Sequence, residues 1–191
     1  MENSKTVTFS LGGMIFEYDE KKNKINIEKH GISFKSAARV FFDYDRIEYY
    51  DEENSNVEDR YDIIGDLSAG TAQIERDTEI MIGNIKSDDV LFVVYTERIR
   101  KNENGAEIDV TRLISARLQP ILKGGFIMVN TKEMTESLIK ELAFSEEELR
   151  ELKAAKEKPI VFDEDCPETT PERALKFRRV NPPRGAGKKR A

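Results

Sequence analysis

The residues best suited to chemistry lie in the stretch 16–34, where Lys22, Lys29 and His30 are close together in the chain. His30 is the only histidine, and an unperturbed imidazole titrates near neutral pH. Lys22 and Lys29 are seven residues apart, which places them on one face of a helix, two turns from each other. Cleavage of a phosphodiester by an attacking hydroxyl requires a base, an acid and cations for the charged transition state. These side chains are therefore of the types needed to hold and cleave a phosphodiester.

Each of these residues also has a structural interpretation. A histidine just before a glycine that ends a helix interacts favourably with the helix C-terminus, and His30 precedes Gly31. Lysines on a helix rich in Lys and Glu commonly form a solvated face, which is the preferred interpretation for Lys21 and Lys24. For the histidine and the other two lysines, both interpretations are open.

Four arginines, each in or next to a predicted strand, form a second group of candidates: Arg60, Arg98, Arg112 and Arg117. The planar fork of an arginine binds two phosphate oxygens, whereas the alternative is pairing with nearby carboxylates. Arg112 and Arg117 differ by five positions, so strict alternation places them on opposite faces of a strand. Both can contact one phosphate-bearing ligand only if the strand twists or bulges. Thr96 and Ser115 either orient a phosphate or pack within their strands.

The helices and strands that carry these residues can also be predicted. Their order, two helices followed by strands of an antiparallel sheet, indicates an α+β fold. Asp19 is expected to cap the first helix and Gly31 to end it in a left-handed conformation. Ser33 caps a second helix, whose apolar stripe runs from Phe34 to Phe42. Strands are expected at 7–11, 14–18, 47–50, 60–67, 90–98 and 109–118, with a further hairpin arm within 71–86.

Length and composition limit the class of protein. The 191 residues carry a net charge of −6, which argues against a protein that binds nucleic acid by its overall charge. Cys166 is the only cysteine, so no internal disulfide can form. No apolar run is long enough to span a membrane and no signal peptide is recognisable. We expect a soluble cytoplasmic protein without a metal or other cofactor.

The pattern changes after residue 119, and we divide the chain into a domain 1–119 with an extension 1–13, a junction 120–135, and a tail 136–191. Ser145 and Glu148 form a capping box at the start of one tail helix, and Thr170-Pro171 opens another that is expected to run through Phe177. The tail has too few apolar residues for its own core. Four of them are expected to pack on the sheet domain or on a second copy of it: Leu149, Leu152, Ile160 and Phe162. The basic end, from 178 to 190, either contacts DNA or only solubilises the chain.

The run 16–34 resembles the BrnT family of bacterial toxins, which are small ribonucleases related to RelE. Lys29-His30-Gly31 is one specific match, and residues 112–117, which read Arg-Leu-Ile-Ser-Ala-Arg, are the other. The resemblance covers roughly 14–117 and implies a RelE-like fold, RNA cleavage that blocks translation, and an antitoxin partner in cis or in trans. With it, the candidate catalytic residues are Lys22, Lys29, His30, Arg60, Arg98 and Arg117. The candidate RNA-phosphate ligands are Arg112, Thr96 and Ser115.

Two departures from the family pattern bear on activity. The stretch between Gly65 and Val90 is longer than the usual hairpin, and the basic helix that normally follows the Ile-Ser-Ala-Arg run is replaced by residues 118–122. A rival interpretation is therefore a catalytically degenerate toxin fold that acts as a partner-binding or regulatory module. A DNA-binding regulator that works through the basic tail is a third interpretation, and a homodimer is a candidate assembly.

Residues 159–179 resemble short antitoxin-type proteins encoded beside such toxins, although the DNA-binding ribbon-helix-helix segment of full-length antitoxins is missing. Asp163, Glu164 and Asp165 are the candidate autoinhibitory residues, because their carboxylates can mimic phosphate over the basic site. A solvated acidic loop is the simple alternative. Lys123-Gly124-Gly125 followed by Met128 could derive from a translated ribosome-binding sequence and a start codon, which would make the chain two joined genes. It could equally be a linker turn.

Overall fold

The computed structural model describes residues 4–67, 72–74, 80–82, 90–120 and 135–181, and only the backbone of 72–74 and 80–82. The strands are β1 Thr6–Leu11, β2 Met14–Asp19, β3 Ile47–Tyr50, β4 Tyr61–Asp66, β5 Ala72–Ile74, β6 Ile80–Ile82, β7 Val90–Lys101, β8 Glu107–Leu118 and β9 Arg178–Arg179. The helices are α1 Glu20–His30, α2 Phe34–Ala37, α3 Glu136–Leu142, α4 Glu146–Lys156 and α5 Pro171–Ala174, with short 3₁₀ helices at Ala38–Phe42 and Glu52–Asn54. The expected α+β class is confirmed.

Seven strands form one sheet in the order β1-β2-β8-β7-β4-β3-β9. Its neighbours pair antiparallel except for β2 and β8, which are parallel, with Phe16 opposite Thr111 and Tyr18 opposite Leu113. The expectation of a purely antiparallel sheet is therefore wrong at this pair. The two strands are far apart in the chain, so no hairpin fixes their relative direction. Strands β5 and β6 pair separately, which confirms the hairpin arm within the described residues.

The helix boundaries follow the local signals in the sequence. The side chain of Asp19 accepts a hydrogen bond from the backbone of Lys22, and Gly31 ends α1 with φ of 74°. Ser33 caps α2 as predicted, but α2 ends at Ala37 and a 3₁₀ helix follows it directly. The apolar side chains of the predicted stripe still face the core.

The tail helices also begin at their predicted caps. The capping box of Ser145 and Glu148 starts α4 as predicted. Thr170 caps α5, which ends at Ala174 rather than reaching Phe177.

Apolar side chains pack on both faces of the sheet. The first face, which carries Phe16, Val93 and Leu113, packs against α2 and the C-terminal helices α3 and α4. The second face carries a smaller cluster with Ile64 and Phe92. Because successive side chains of a strand point to opposite faces, each strand contributes to both clusters.

Residues 135–181, the C-terminal segment, wrap around the sheet. Leu142 and Leu152 join the first-face cluster, whereas Cys166 and Phe177 join the second. Strand β9 then pairs with the edge of β3. Of the four tail residues expected to pack, Leu152 is buried, but three remain about 40% exposed: Leu149 at 41%, Ile160 at 38% and Phe162 at 41%. The expected docking therefore occurs largely through other side chains.

Some expectations lie outside the described residues. These are the glycine-containing junction at 121–134 and the basic end at 182–190. Among the described residues, no helix has the length and apolar character needed to cross a membrane.

Candidate active site

A bulge in the sheet brings the two arginines of β8 to the same face. Val94 pairs with Ser115 and Tyr95 with Leu113, so Ile114 is an extra residue between the two pairs. Arg112 and Arg117 therefore lie opposite Thr96 and Phe92, which are four residues apart on β7 and share the second face. The strand therefore has the bulge that both arginines need in order to face the same side of the sheet.

Four cationic or titratable side chains lie together at the junction of α1 with the second face, and we call them the cation row: Lys22, Lys29, His30 and Arg60. They surround two carboxylates of the C-terminal segment. Lys29 Nζ lies 2.8 Å and His30 Nε2 3.8 Å from Asp163 Oδ2.

The second carboxylate joins the other two members of the row. Asp165 contacts Lys22 Nζ at 3.2 Å and Arg60 Nη1 at 3.4 Å. Each carboxylate therefore has two cationic or titratable partners, which are neighbours at the end of α1 for Asp163 and come from separate parts of the chain for Asp165.

Burial and charge set the protonation of this group. Burial lowers the pKa of His30 below its ordinary value of 6.5, although the carboxylate of Asp163 acts in the opposite direction. Burial raises the pKa of Asp163, but the hydrogen bond and charge of Lys29 outweigh it and the net pKa is lowered. The same hydrogen bond raises the pKa of Lys29. At neutral pH the imidazole is thus mostly neutral beside a charged ammonium–carboxylate pair.

A cavity of about 210 Å³ lies between α1, β8 and the acidic turn. Its lining includes Lys22, Lys29, His30 and Ser115, together with the two aspartates. The space and the charges of its walls suit a small anionic group in contact with the imidazole.

Arg117 does not join the cation row, although the sequence proposed it as a candidate catalytic residue. Its side chain is only 1% exposed and stacks between the rings of Phe92 and Phe162, at 4.4 and 4.9 Å from their centroids. Its guanidinium donates to the carbonyls of Cys166 and Pro167 and to several other oxygens. Arg117 therefore holds the C-terminal segment in this structure.

Arg98 and Arg112 are also separate from the cation row. They belong to a glutamate cluster, defined by Glu17, Glu58, Arg98, Arg100 and Arg112. Glu17 is 3% exposed and accepts hydrogen bonds from all three arginines. Burial raises its pKa, but the hydrogen bonds from Arg100 and Arg112 outweigh burial and lower it. These cations are therefore paired within the sheet, which is the structural interpretation that the sequence left open.

The remaining candidates have simpler positions. Thr96 is buried in β7 opposite Arg112, within the sheet, and not beside the cation row. Ser115 lines the cavity and donates to Asn26 Oδ1 at 3.3 Å. Glu164 is exposed and forms no ion pair with a described residue, so two of the three candidate autoinhibitory acids, Asp163 and Asp165, contact the cation row.

Sequence reasoning missed Glu17, Asn26 and Arg173. A glutamate between two core aromatics of β2 signals a buried ionic partner, so Glu17 could have been found. Asn26 lies four residues before His30, on the same face of α1. No local signal marks Arg173, whose partners Asp51 and Asp62 are more than 110 residues away in the chain.

The pair formed by Arg173 with the two carboxylates holds α5 to the second face. Arg173 Nη2 lies 2.8 Å from Asp51 Oδ2 and 2.7 Å from Asp62 Oδ2. Burial raises the pKa of Asp62 to about 6, even though Arg173 lowers it in part.

A comparison with family models gives a match. A family model described as "Ribonuclease toxin, BrnT, of type II toxin-antitoxin system" matches residues 18–74. The resemblance to BrnT toxins is confirmed over this stretch, which contains the whole cation row. A comparison with curated proteins finds no match.

Proposed function

We propose that the chain is a BrnT-like ribonuclease whose active site is occupied by its own antitoxin-like C-terminal segment. One observation carries the proposal: the cation row of the BrnT-matched stretch converges on Asp163 and Asp165, which come from the other end of the chain. A site that holds two carboxylates in this way has the charge needed to hold phosphates.

The row contains the groups that RNA cleavage needs. A neutral His30 can accept the proton of a 2′-hydroxyl as that oxygen attacks the neighbouring phosphorus. The cations at Lys22, Lys29 and Arg60 stabilise the negative charge that develops on the phosphoryl oxygens. The bond between phosphorus and the 5′-oxygen breaks, and that oxygen takes its proton from the ammonium of Lys22 or Lys29 or from solvent water. No metal is required for these steps, and cleavage of messenger or ribosome-associated RNA would block translation.

The segment is suited to act as an inhibitor within one chain. Its carboxylates are held at the row by anchors on both sides: Phe162, before them, stacks on Arg117. After them, Arg117 holds residues 166–169 and Arg173 holds α5. Because the segment is covalently attached, its effective concentration at the site is high, and modest contacts keep it in place.

A second function is supported by a separate observation. Arg98, Arg112 and Arg117, three of the nine proposed catalytic or phosphate-binding residues, are committed to internal partners. A catalytically degenerate toxin fold that serves as a partner-binding module would tolerate this. The alternative predicts that opening the segment exposes no ribonuclease.

Expression of the full chain with Asp163→Asn and Asp165→Asn in a bacterium tests the proposal. We expect growth arrest from this double variant, no arrest from the wild-type chain, and relief of the arrest by adding His30→Ala. Glu164→Gln is the matched control, because Glu164 is exposed and outside the row. Normal growth with the well-expressed double variant would favour the binding module.

A further inference from the structure

Asn26 provides the contact between helix α1 and the free edge of strand β8. Strand β2 pairs with β8 only as far as Leu113, so beyond that point the same edge has no neighbouring strand among the described residues. There, Asn26 Oδ1 accepts from the backbone N–H of Ala116 at 3.0 Å, and Nδ2 donates to the carbonyl of Ala116 at 2.8 Å. The side-chain amide thus pairs with both backbone groups of one residue, as a neighbouring strand would.

The other donor and acceptor positions of the Asn26 amide also form hydrogen bonds. Nδ2 donates its second hydrogen to the carbonyl of Ile32 at 2.8 Å, and Oδ1 accepts from Ser115 Oγ at 3.3 Å. Asn26 is only 4% exposed. An amide offers two donors and two acceptor positions, so no other side chain of similar size could make the full set.

Helix α1 has little else that is deeply buried. Asn26 and His30 are its two buried residues, and Ile25 is 41% exposed. The helix therefore lacks the apolar stripe that usually fixes a helix on a sheet. Its position against β8 depends strongly on the hydrogen bonds of Asn26.

The same amide lies in the middle of the cation row. Lys22 is four residues before it, and Lys29 and His30 are three and four residues after it, which places all of them on adjoining parts of one helix face. Asn26 lines the same cavity as these three side chains.

We propose that Asn26 is the positioning residue of this site: it fixes α1 on β8 so that Lys22, Lys29 and His30 face one anionic group together. The identity of that group as RNA phosphate rests on the proposed ribonuclease function, but the positioning can be measured without it. Catalytic groups act efficiently only when surrounding contacts hold them in place.

Replacing Asn26 in the full-length chain tests this with the titration of His30, which NMR can follow alone because it is the only histidine. Asp163, Lys29, Arg117 and Lys158 provide the charges that act on this imidazole, and burial is the main effect lowering its pKa. We expect Asn26→Ala to shift the pKa of His30 upward towards 6.5, because the loosened helix lets water reach the ring.

Asn23→Ala is the matched control. Asn23 is also on α1, and its Oδ1 accepts from the backbone of Phe34 at 2.7 Å, but it forms no hydrogen bond with β8 in the described structure. We expect it to lower stability while leaving the titration of His30 unchanged. If Asn26→Ala is folded and titrates as the wild type does, Asn26 does not position the row.

Two further measurements keep the proposal testable. In the wild-type chain, the amide hydrogen of Ala116 should exchange about 100-fold or more slowly than in an unfolded chain; loop-like exchange would contradict the proposal even if the variant fails to fold.

In an active Asp163→Asn, Asp165→Asn background, Asn26→Ala should reduce kcat by about 100-fold, and unchanged kcat would contradict it. An inactive background refutes the ribonuclease function alone, since the His30 titration still decides the positioning.

Discussion

At the scale of single residues, the contact of Asp163 with both Lys29 and His30 is the feature that links the two ends of the chain. The imidazole is buried and its pKa is lowered, while the carboxylate beside it partly offsets that effect. The protonation of His30 therefore reports whether the acidic turn is in place.

Asp163→Asn is predicted to lower the pKa of His30 further, because the substitution removes a negative charge that favours the imidazolium form. The contacts of Asp165 with Lys22 and Arg60, which this single substitution leaves in place, should keep the turn closed. NMR titration of the single histidine measures the shift. Glu164→Gln, which alters an exposed acid in the same turn, should leave the titration unchanged. An unchanged pKa in Asp163→Asn would show that this carboxylate does not face the ring in solution.

The sequence predicted part of this group of residues correctly. Lys22, Lys29 and His30 could be placed together because helical spacing is a local property. The partners of the arginines could not be predicted, since Glu17 meets Arg112 only through the parallel pairing of β2 and β8. Pairing between distant strands depends on the whole sheet rather than on neighbouring residues.

At the scale of elements, the end of α1 packs directly against α4 of the C-terminal segment. A Cβ atom at Gly31 would lie 2.8 Å from Ala155 Cβ and 2.9 Å from Ala155 Cα. The ammonium of Lys158 donates to the carbonyls of Ile27 and Glu28 at 3.3 Å each. Gly31 therefore has two roles: it adopts the left-handed conformation that ends α1, and its lack of a side chain allows α1 and α4 to approach closely.

Gly31→Ala should destabilise the protein more than Gly105→Ala, although both glycines have positive φ, 74° and 77°. Each substitution costs about 1–2 kcal/mol for the left-handed backbone. Gly31→Ala costs about 1–3 kcal/mol more because it overpacks against Ala155, whereas nothing lies within 4 Å of a Cβ at Gly105. Urea unfolding measures both variants. Equal losses of stability would mean that α4 is not packed on the end of α1.

Most elements could be predicted from the sequence because their signals are local. Caps at Asp19, Ser145 and Thr170 begin their helices where expected. The bulge at Ile114 could not be predicted, because it follows from the pairing of β8 with β7. The length of α5 was overestimated, since Phe177 is drawn into the second-face cluster and no longer continues the helix.

At the scale of the whole molecule, the C-terminal segment closes around the sheet through ionic contacts on both faces. On the first face Arg39 binds both carboxylate oxygens of Glu148, at 3.1 and 3.2 Å. On the second face Arg173 binds Asp51 and Asp62. These buried pairs join distant parts of the chain, so the segment and the sheet should unfold together.

Arg173→Ala should destabilise the protein by about 3–5 kcal/mol near neutral pH, because it leaves two buried carboxylates without their cation. The pKa of Asp62 is already raised to about 6 by burial, and removal of Arg173 raises it further. A carboxyl group whose pKa is higher in the folded than in the unfolded protein stabilises the fold below its unfolded pKa of about 4. This contribution is lost as the pH rises through its folded pKa. The loss in Arg173→Ala should therefore be smaller at acidic pH than at mildly alkaline pH.

Chemical unfolding across this pH range measures the effect. Arg150→Ala is the control, because Arg150 is exposed on α4 and contacts only its own helix through Glu146 in the described structure. A loss in Arg173→Ala that does not depend on pH would show that the two carboxylates are not buried together.

The central claim is that a ribonuclease site lies beneath the acidic turn. Its most direct test is cleavage of a single-stranded RNA by three purified full-length proteins: the wild type, Asp163→Asn with Asp165→Asn, and that double variant with His30→Ala. We predict rapid cleavage by the double variant, little by the wild type, and a loss of about 100-fold or more on removing the imidazole. Equal cleavage by all three, or none by the folded double variant, would contradict the account.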